Sequence, residues 1–149
     1  IKNWFNKNEN IDIGFSFICQ GKENYKDYVK GECEICEFLK YKYILSVEGN
    51  DKDSGLNWKL NSNSLVFMTK PTKVSWLMED KLIPNHHYIL LKDDFSDLYE
   101  KYKWCEENQD KCKQIIKNAN EYMNMFSNEK NEEILEKNIL DEYFKRVKI

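Results

Sequence analysis

A turn rich in glycine and aspartate is the first place in this chain where chemistry is expected. It runs from Glu48 to Gly55, follows an apolar run and precedes a helical pattern. Gly49 and Gly55 allow close approach of the backbone, and the N–H groups at a helix start attract phosphate. Ser54 can cap that helix or donate its hydroxyl to phosphate, and Lys59 can add positive charge. The alternative is an ordinary tight turn with solvated aspartates, because the sequence matches neither a Walker loop nor G-x-G-x-x-G.

The cysteines are a second group whose spacing could carry chemistry. Cys33 and Cys36 form a C-x-x-C, which is half of a zinc site or a redox pair. No second C-x-x-C follows, and the two histidines, His86 and His87, are adjacent. Five cysteines are an odd number for a disulfide framework. We therefore expect reduced thiols on a helix face and no metal site.

Composition limits the function classes that remain. The 149 residues are 41% hydrophobic and 14% aromatic, enough for one compact core. The formal net charge is −3, and lysines alternate with acidic residues and asparagine, which disfavours nucleic acid as a partner. No apolar run approaches the ~20 residues that cross a bilayer. The chain begins at Ile1 without a charged and then apolar leader, so we expect a fragment or processed product that is cytoplasmic or membrane-peripheral.

The elements that must position the turn alternate between strand and helix patterns. A continuous apolar run at Leu65–Met68 is typical of a strand buried on both faces of a parallel sheet. The predicted strands are 11–18, 43–48, 64–68 and 88–91, and the predicted helices are 34–42, 54–62, 75–82, one capped by Asp94, one from Asp110 to Phe126, and 132–148. This order predicts a doubly wound, mostly parallel α/β unit with flanking helices, covering residues 1–127, and a helical C-terminal extension, residues 128–149.

Several segments together resemble glycosyltransferase family 90, the lipopolysaccharide-modifying and protein O-glucosyltransferase family. They are LKYKYILSVEGND at 39–51, SGLNWKL at 54–60, SNSLVFM at 62–68, WLME at 76–79, Leu82, Pro84, HY at 87–88 and DDFSDL at 93–98. The match covers roughly residues 11 to 126, and an ordered series of this kind is far more specific than one motif.

The resemblance implies a two-domain GT-B enzyme whose C-terminal, Rossmann-like domain holds the nucleotide sugar. The chain matches that domain, while the missing N-terminal domain would supply acceptor contacts and the catalytic carboxylate. Donor-binding roles are thereby carried over to Gly49, Asn50, Asp51, Ser54 and Ser64. We expect no catalytic base among them, no cofactor and no metal, and an isolated chain that is inactive.

One departure from the family pattern concerns phosphate binding. Many members carry Arg and Lys at places corresponding here to Gly55 or Leu56 and to Asn57. Phosphate contacts would then fall to backbone N–H groups and Lys59. With Gly55, Asn57, Lys59 and Glu79, the predicted donor-binding set is complete. A non-catalytic Rossmann-like binding or regulatory module that has lost donor binding is the alternative, and a response-regulator-like domain is a weaker one.

The resemblance also leaves alternatives open at individual side chains. Glu79 could bind a ribose hydroxyl or occupy a solvated helix position. His87 could contact donor or acceptor, although a buried histidine at a strand start is preferred. The pair at 93–94 resembles a carboxylate dyad, but helix capping is preferred. Trp58 and Trp76 are expected in the core rather than as sugar-stacking platforms.

The function expected from this reasoning is transfer of a sugar from a nucleoside-diphosphate sugar to a hydroxyl. The acceptor is a glycan, a lipopolysaccharide or a protein. The partners expected are therefore the nucleotide sugar, the acceptor and the missing N-terminal domain.

Overall fold

A computed structural model describes residues 9–18 and 23–147, in which the chain forms two compact units, Ile1–Lys40 and Tyr41–Ile149. In the first unit, a 3₁₀ helix covers Glu23–Tyr28 and a one-turn helix, α1, covers Ile35–Phe38. Phe15 and Val29 form a single parallel bridge there. The boundary at residue 127 predicted from the sequence stays a prediction.

The second unit is built on a three-stranded parallel sheet. Its strands are β1 (Tyr43–Leu45), β2 (Leu65–Met68) and β3 (Ile89–Leu90), in the order β1-β2-β3. All four residues of β2 are buried, which explains why its sequence is continuously apolar. The parallel pairing of β1 with β2 confirms the prediction for these two runs.

The α-helices of this unit lie between β1 and β2 and after β3 in the chain. They are α2 (Leu56–Leu60), α3 (Leu98–Glu107), α4 (Gln109–Asn124) and α5 (Glu129–Arg146), and a 3₁₀ turn covers Glu79–Lys81. The chain is therefore an α/β, Rossmann-like fold with C-terminal helices, as the pattern predicts.

The main core lies between the sheet, α2 and α4. Its buried members are Leu56, Leu60, Val66, Met68, Leu77, Leu82, Tyr88, Ala119, Tyr122 and Met123. The Tyr122 hydroxyl donates to the carbonyls of Leu77 (2.7 Å) and Met78 (3.0 Å), so α4 is fastened to the segment before the 3₁₀ turn. Glu79 directly follows that segment, so its position is fixed from the core.

Two predicted helices are shorter than expected because the backbone turns left-handed inside them. Met78 has φ 51°, which interrupts the helix predicted over 75–82 and leaves the 3₁₀ turn. Phe95 has φ 56°, so α3 starts at Leu98 with Asp97 at its N-cap. Asp94 instead accepts the N–H of Ser96 at 3.0 Å, and the prediction that it caps this helix is wrong.

Other boundaries also differ. The helix predicted over 34–42 is reduced to α1, and the strand predicted over 11–18 to the bridge at Phe15. Phe17 is 63% exposed, so the apolar residues of this alternating pattern do not form the buried face of a strand. The last predicted helix is present as α5, but each of its residues is exposed. None of the helices within the described ranges combines the length and apolarity that a bilayer crossing demands.

Candidate functional site

A narrow cleft lies where β1 and β2 end and their chains turn outward. In parallel sheets this edge, at the carboxyl ends of the strands, is where ligands bind. The cleft is lined by Ser46, Glu48, Lys52, Asp53, Leu56, Met68, Thr69, Pro71 and Glu79. Glu79 belongs to the predicted donor-binding set, and the Glu48–Gly55 turn contributes three of the lining residues.

The carboxylate of Asp53, in the Glu48–Gly55 turn, accepts three hydrogen bonds. One carboxylate oxygen accepts the Ser46 hydroxyl at 2.6 Å and the Lys59 ammonium, and the other accepts the N–H of Gly55 at 2.9 Å. Burial favours a raised pKa, but the bonds from Lys59, Ser46 and Gly55 hold the pKa of Asp53 below its usual value. Asp53 is therefore ionised at neutral pH and joins the end of β1 to α2.

Lys59 is the partner that balances this charge. Its side chain is 12% exposed, and its ammonium also lies 3.5 Å from the Leu45 carbonyl and 5.6 Å from the ring centroid of Trp58. These contacts turn it toward Asp53 and the end of β1. Its predicted role at phosphate stays a prediction, but its charge is already paired within the fold.

Glu79 is almost completely buried, at 1% exposure. Its two carboxylate oxygens accept the N–H (2.6 Å) and the hydroxyl (2.7 Å) of Ser75. The Lys52 ammonium lies 3.8 Å from one of these oxygens, beyond hydrogen-bond distance. The solvated position considered for Glu79 is excluded, while its predicted contact with a ribose hydroxyl stays a prediction.

Glu48 is another acidic residue that lines the cleft. Its carboxylate accepts the hydroxyl and the N–H (3.0 Å) of Thr72 and the N–H of Lys73 (3.3 Å). Burial favours a raised pKa, yet these hydrogen bonds lower the pKa of Glu48 overall. The ionised side chain thus ties the segment after β2 to the segment after β1.

The glycine turn is held largely by its own hydrogen bonds. The N–H of Gly49 donates to the Asp51 carbonyl at 2.9 Å, and the N–H of Lys52 donates to the Asp51 side chain at 2.8 Å. A Cβ at Gly49 would meet open space among the described residues, whereas one at Gly55 would lie 2.8 Å from Nε1 of Trp58. Gly55 is thus required by close packing against Trp58, inside the fold.

The helix after the turn also differs from the prediction. Gly55, rather than Ser54, occupies the N-cap of α2, because the chain turns on Asp53, which accepts the N–H of Leu56 at its carbonyl. Ser54 and Asn50 are exposed nearby, and the Asn57 side chain accepts the N–H of Trp58 at 2.8 Å.

Ser64 is not brought to this cleft. It precedes β2 and therefore lies at the amino end of the parallel strands, opposite the turn that follows β1. Its buried hydroxyl donates to the Tyr41 carbonyl at 2.6 Å, and its N–H donates to the Ser62 hydroxyl at 3.0 Å. The geometry gives Ser64 a bridging contact between two chain segments.

Two other interpretations of the sequence concern His87 and Trp76. His87 is buried, accepts the N–H of Ile83 at Nδ1 (3.0 Å) and packs on Tyr122, which confirms the buried histidine. Burial, with a contribution from His86, lowers the pKa of His87. Trp76 is 57% exposed, so its assignment to the core is wrong.

The cysteines of the described residues are free thiols. Cys33 and Cys36 are exposed free thiols, and Cys105 and Cys112 are buried free thiols. Cys19 lies outside the described residues. Across the part of the chain that the structure describes, histidine, cysteine and acidic side chains do not gather in groups of three or more that could hold a metal ion.

Sequence reasoning missed three of the residues that build the cleft. Ser46 lay within a matched segment, and Lys52 and Asp53 lay in the Glu48–Gly55 turn, but none of the three received a role. Ser46 interrupts the apolar run after β1, and this polar side chain at a strand end is the signal that could have identified it. Lys52 and Asp53 could be assigned only after the turn had been placed in three dimensions.

Comparisons with known proteins identify the family of this chain. The model of the family named Glycosyl transferase family 90 matches residues 4–149. The O-glucosyltransferase LpsA of Dichelobacter nodosus is 36% identical over 123 residues, which cover 83% of this chain and 38% of that protein. Protein O-glucosyltransferase 3 is 35% identical over 109 residues in both Rattus norvegicus and Homo sapiens, covering 72% of this chain and 21% of each relative. The chain thus spans well under half the length of these relatives, and it belongs to glycosyl transferase family 90.

Proposed function

We propose that this chain is the donor-binding part of a glycosyltransferase that moves a sugar from a nucleoside-diphosphate sugar to an acceptor hydroxyl. The acceptor class is a glycan, a lipopolysaccharide or a protein. The observation that carries the proposal is the cleft with charged side chains in its lining at the carboxyl ends of β1 and β2, in a member of this family. Two relatives named as O-glucosyltransferases support the reaction type.

In the proposed reaction, the acceptor oxygen attacks the anomeric carbon while a carboxylate outside this chain removes its proton. The bond between that carbon and the phosphate oxygen breaks, and the nucleoside diphosphate leaves. The contribution of this chain is to hold the leaving group and stabilise its developing negative charge. We propose that it does so with its own hydrogen-bond donors and cations and without a metal.

The isolated chain is proposed to bind donor without transferring sugar. Asp53 and Glu48, two carboxylates lining the cleft, each accept three hydrogen bonds within the fold. These bonds favour the ionised carboxylate and oppose proton uptake. Neither side chain is therefore a good general base for the acceptor hydroxyl, and a carboxylate elsewhere in the complete enzyme is required.

The alternative is a non-catalytic binding or regulatory module. It is favoured by the Gly55 and Asn57 positions, which lack the cations common in the family, and by the pairing of Lys59 with Asp53. If these differences removed donor affinity, the fold would remain because its core does not depend on them.

Isothermal titration calorimetry of the 149-residue chain with uridine and guanosine diphosphates distinguishes the donor-binding hypothesis from the non-catalytic module. We expect weak, saturable binding of one of them and no sugar transfer in a radiolabelled assay with the matching nucleotide sugar. The absence of binding to either diphosphate would favour the non-catalytic module. Sugar transfer by the purified chain would show that the proposed division of labour is wrong.

A further inference from the structure

We propose that Lys52 supplies the positive charge for the donor diphosphate, in place of the cations that are missing after the glycine turn. This inference rests on the proposed function and assigns a residue for which the sequence predicted no role. It replaces Lys59 as the side chain expected to meet phosphate.

The first argument is position. Among the described residues that line the cleft, Lys52 is the cationic one, and it lies beside the acidic residues Glu48, Asp53 and Glu79. Without a cation, a dianionic diphosphate placed over the mouth of the cleft would meet only like charge from these side chains. Lys52 supplies a positive charge at this place.

The second argument is the difference between the two lysines. Lys59 is 12% exposed and donates directly to Asp53, so moving it toward a ligand would leave a buried carboxylate without its partner. Lys52 is 20% exposed, and its ammonium lies 3.8 Å from Glu79, beyond hydrogen-bond distance. It can therefore donate to a phosphate oxygen without breaking a hydrogen bond of the fold.

The third argument is the way the side chain of Lys52 is held. Its ammonium lies 5.8 Å from the ring centroid of the exposed Trp76, which itself packs edge-on against Phe126 at 5.6 Å. Glu79, the other neighbour, is fixed by both of its bonds to Ser75. An aromatic ring and a buried carboxylate thus keep the ammonium at the cleft before a ligand arrives, which lowers the entropic cost of binding.

The test is calorimetric titration of the full chain with uridine diphosphate and guanosine diphosphate, at low and at high sodium chloride. Four variants are compared with the wild type: Lys52→Met, Lys52→Gln, Lys52→Arg and the control Lys117→Met. Lys117 pairs with Glu121 at 3.7 Å on α4, where both side chains are exposed, so its removal deletes an ion pair of similar length on the surface, away from the cleft. Circular dichroism and urea unfolding establish that each variant is folded.

We expect Lys52→Met and Lys52→Gln to weaken diphosphate binding by roughly tenfold or more, because a charge-assisted hydrogen bond is lost. Their binding should also depend less on salt than that of the wild type. Lys52→Arg should retain most of the affinity, and Lys117→Met all of it.

Three results would overturn the proposal. Equal diphosphate affinity in wild type and Lys52→Met would remove Lys52 from the site and leave the proposed function intact. Loss of folding in both neutral variants would show that the lysine serves only to hold Glu79. If the folded wild type binds neither diphosphate, the proposed function fails, and the role of Lys52 fails with it.

Discussion

The two ends of the parallel strands both carry buried or half-buried hydrogen bonds, but of different kinds. At the amino end, Ser64 donates to the Tyr41 carbonyl, and the Tyr43 hydroxyl donates to Glu106 at 2.6 Å while accepting Gln109 at 2.8 Å. The two bonds of Tyr43 fasten the sheet to the junction of α3 and α4. At the carboxyl end, charged groups converge on a cleft.

The contrast is clearest between two serines of the matched segments. Ser46 and Ser64 are both buried, and each hydroxyl donates one hydrogen bond of 2.6 Å. Ser64 donates to a main-chain carbonyl, whereas Ser46 donates to Asp53, an ionised side chain that also holds Lys59. Whether a serine takes part in the candidate site depends on which end of the strands it occupies, and not on its residue type.

The largest effect on stability is expected from Asp53→Asn. Asparagine keeps the shape of the side chain but leaves the 12% exposed Lys59 without a counter-charge. We expect the free energy of unfolding at neutral pH to fall by about 2 kcal/mol, less than the roughly 3–5 kcal/mol for a broken, fully buried pair, because both groups retain some contact with water. Urea denaturation measures this difference.

The same variant should change the response to acid. Because the folded-state pKa of Asp53 is lowered, its contribution is present above the ordinary aspartate pKa of about 4 and is lost as the pH falls through the folded value. The wild type should lose more stability than Asp53→Asn in that range. Glu48 has a lowered pKa too, so part of the acid sensitivity remains in the variant.

Glu142→Gln is the matched control for Asp53→Asn. Glu142 pairs with Lys145 at 2.9 Å on the exposed face of α5, and its side chain is 55% exposed. Its removal should change stability by less than about 0.5 kcal/mol, because exposed ion pairs contribute little. If Asp53→Asn loses no more stability than this control, the pair of Asp53 with Lys59 contributes little to the free energy of unfolding.

The strands β1 and β2 were predicted from the sequence more accurately than the ends of the helices. The apolar runs of β1 and β2 identified parallel strands because burial on both faces leaves an unmixed hydrophobic pattern. The helix ends were misplaced where Met78 and Phe95 adopt positive φ, since neither side chain is a usual sign of left-handed backbone. Such turns are set by tertiary contacts that a local pattern does not contain.

The candidate site was predicted in part for a similar reason. The glycine turn and Glu79 were identified from the matched segments, and the structure brings Glu79 and the end of that turn to one cleft. Ser64 was included because it lies in a matched segment, although the parallel topology puts it at the other end of β2. The pairing of Asp53 with Lys59 and the nearness of Lys52 to Glu79 depend on side-chain directions, which spacing does not specify.

A smaller effect is expected from alanine at the two serines, and it tests the comparison directly. Ser46→Ala and Ser64→Ala should each lower the free energy of unfolding by about 1 kcal/mol, the usual contribution of one hydrogen bond. Only Ser46→Ala should also weaken nucleoside-diphosphate binding, because it loosens Asp53 below the cleft. Calorimetry that finds the larger loss of affinity in Ser64→Ala would move the candidate site to the amino end of the strands.

The smallest effect on stability is expected at Gly49, in contrast to Gly55. A Cβ at Gly49 meets open space among the described residues and the backbone there lies outside the left-handed region, so Gly49→Ala should change the free energy of unfolding by less than about 0.5 kcal/mol.

Gly55→Asp is a poor probe of nucleotide binding because its Cβ would displace Trp58 and its charge would lie beside Asp53. Gly49→Asp avoids both problems and adds negative charge next to Glu48, at the margin of the cleft. It should therefore weaken diphosphate binding by roughly fivefold while leaving urea unfolding unchanged, as expected for one like charge screened by water. If Gly49→Asp binds the diphosphate as tightly as Gly49→Ala does, the phosphates do not lie beside this turn, and the carboxyl-end cleft loses its proposed anion site.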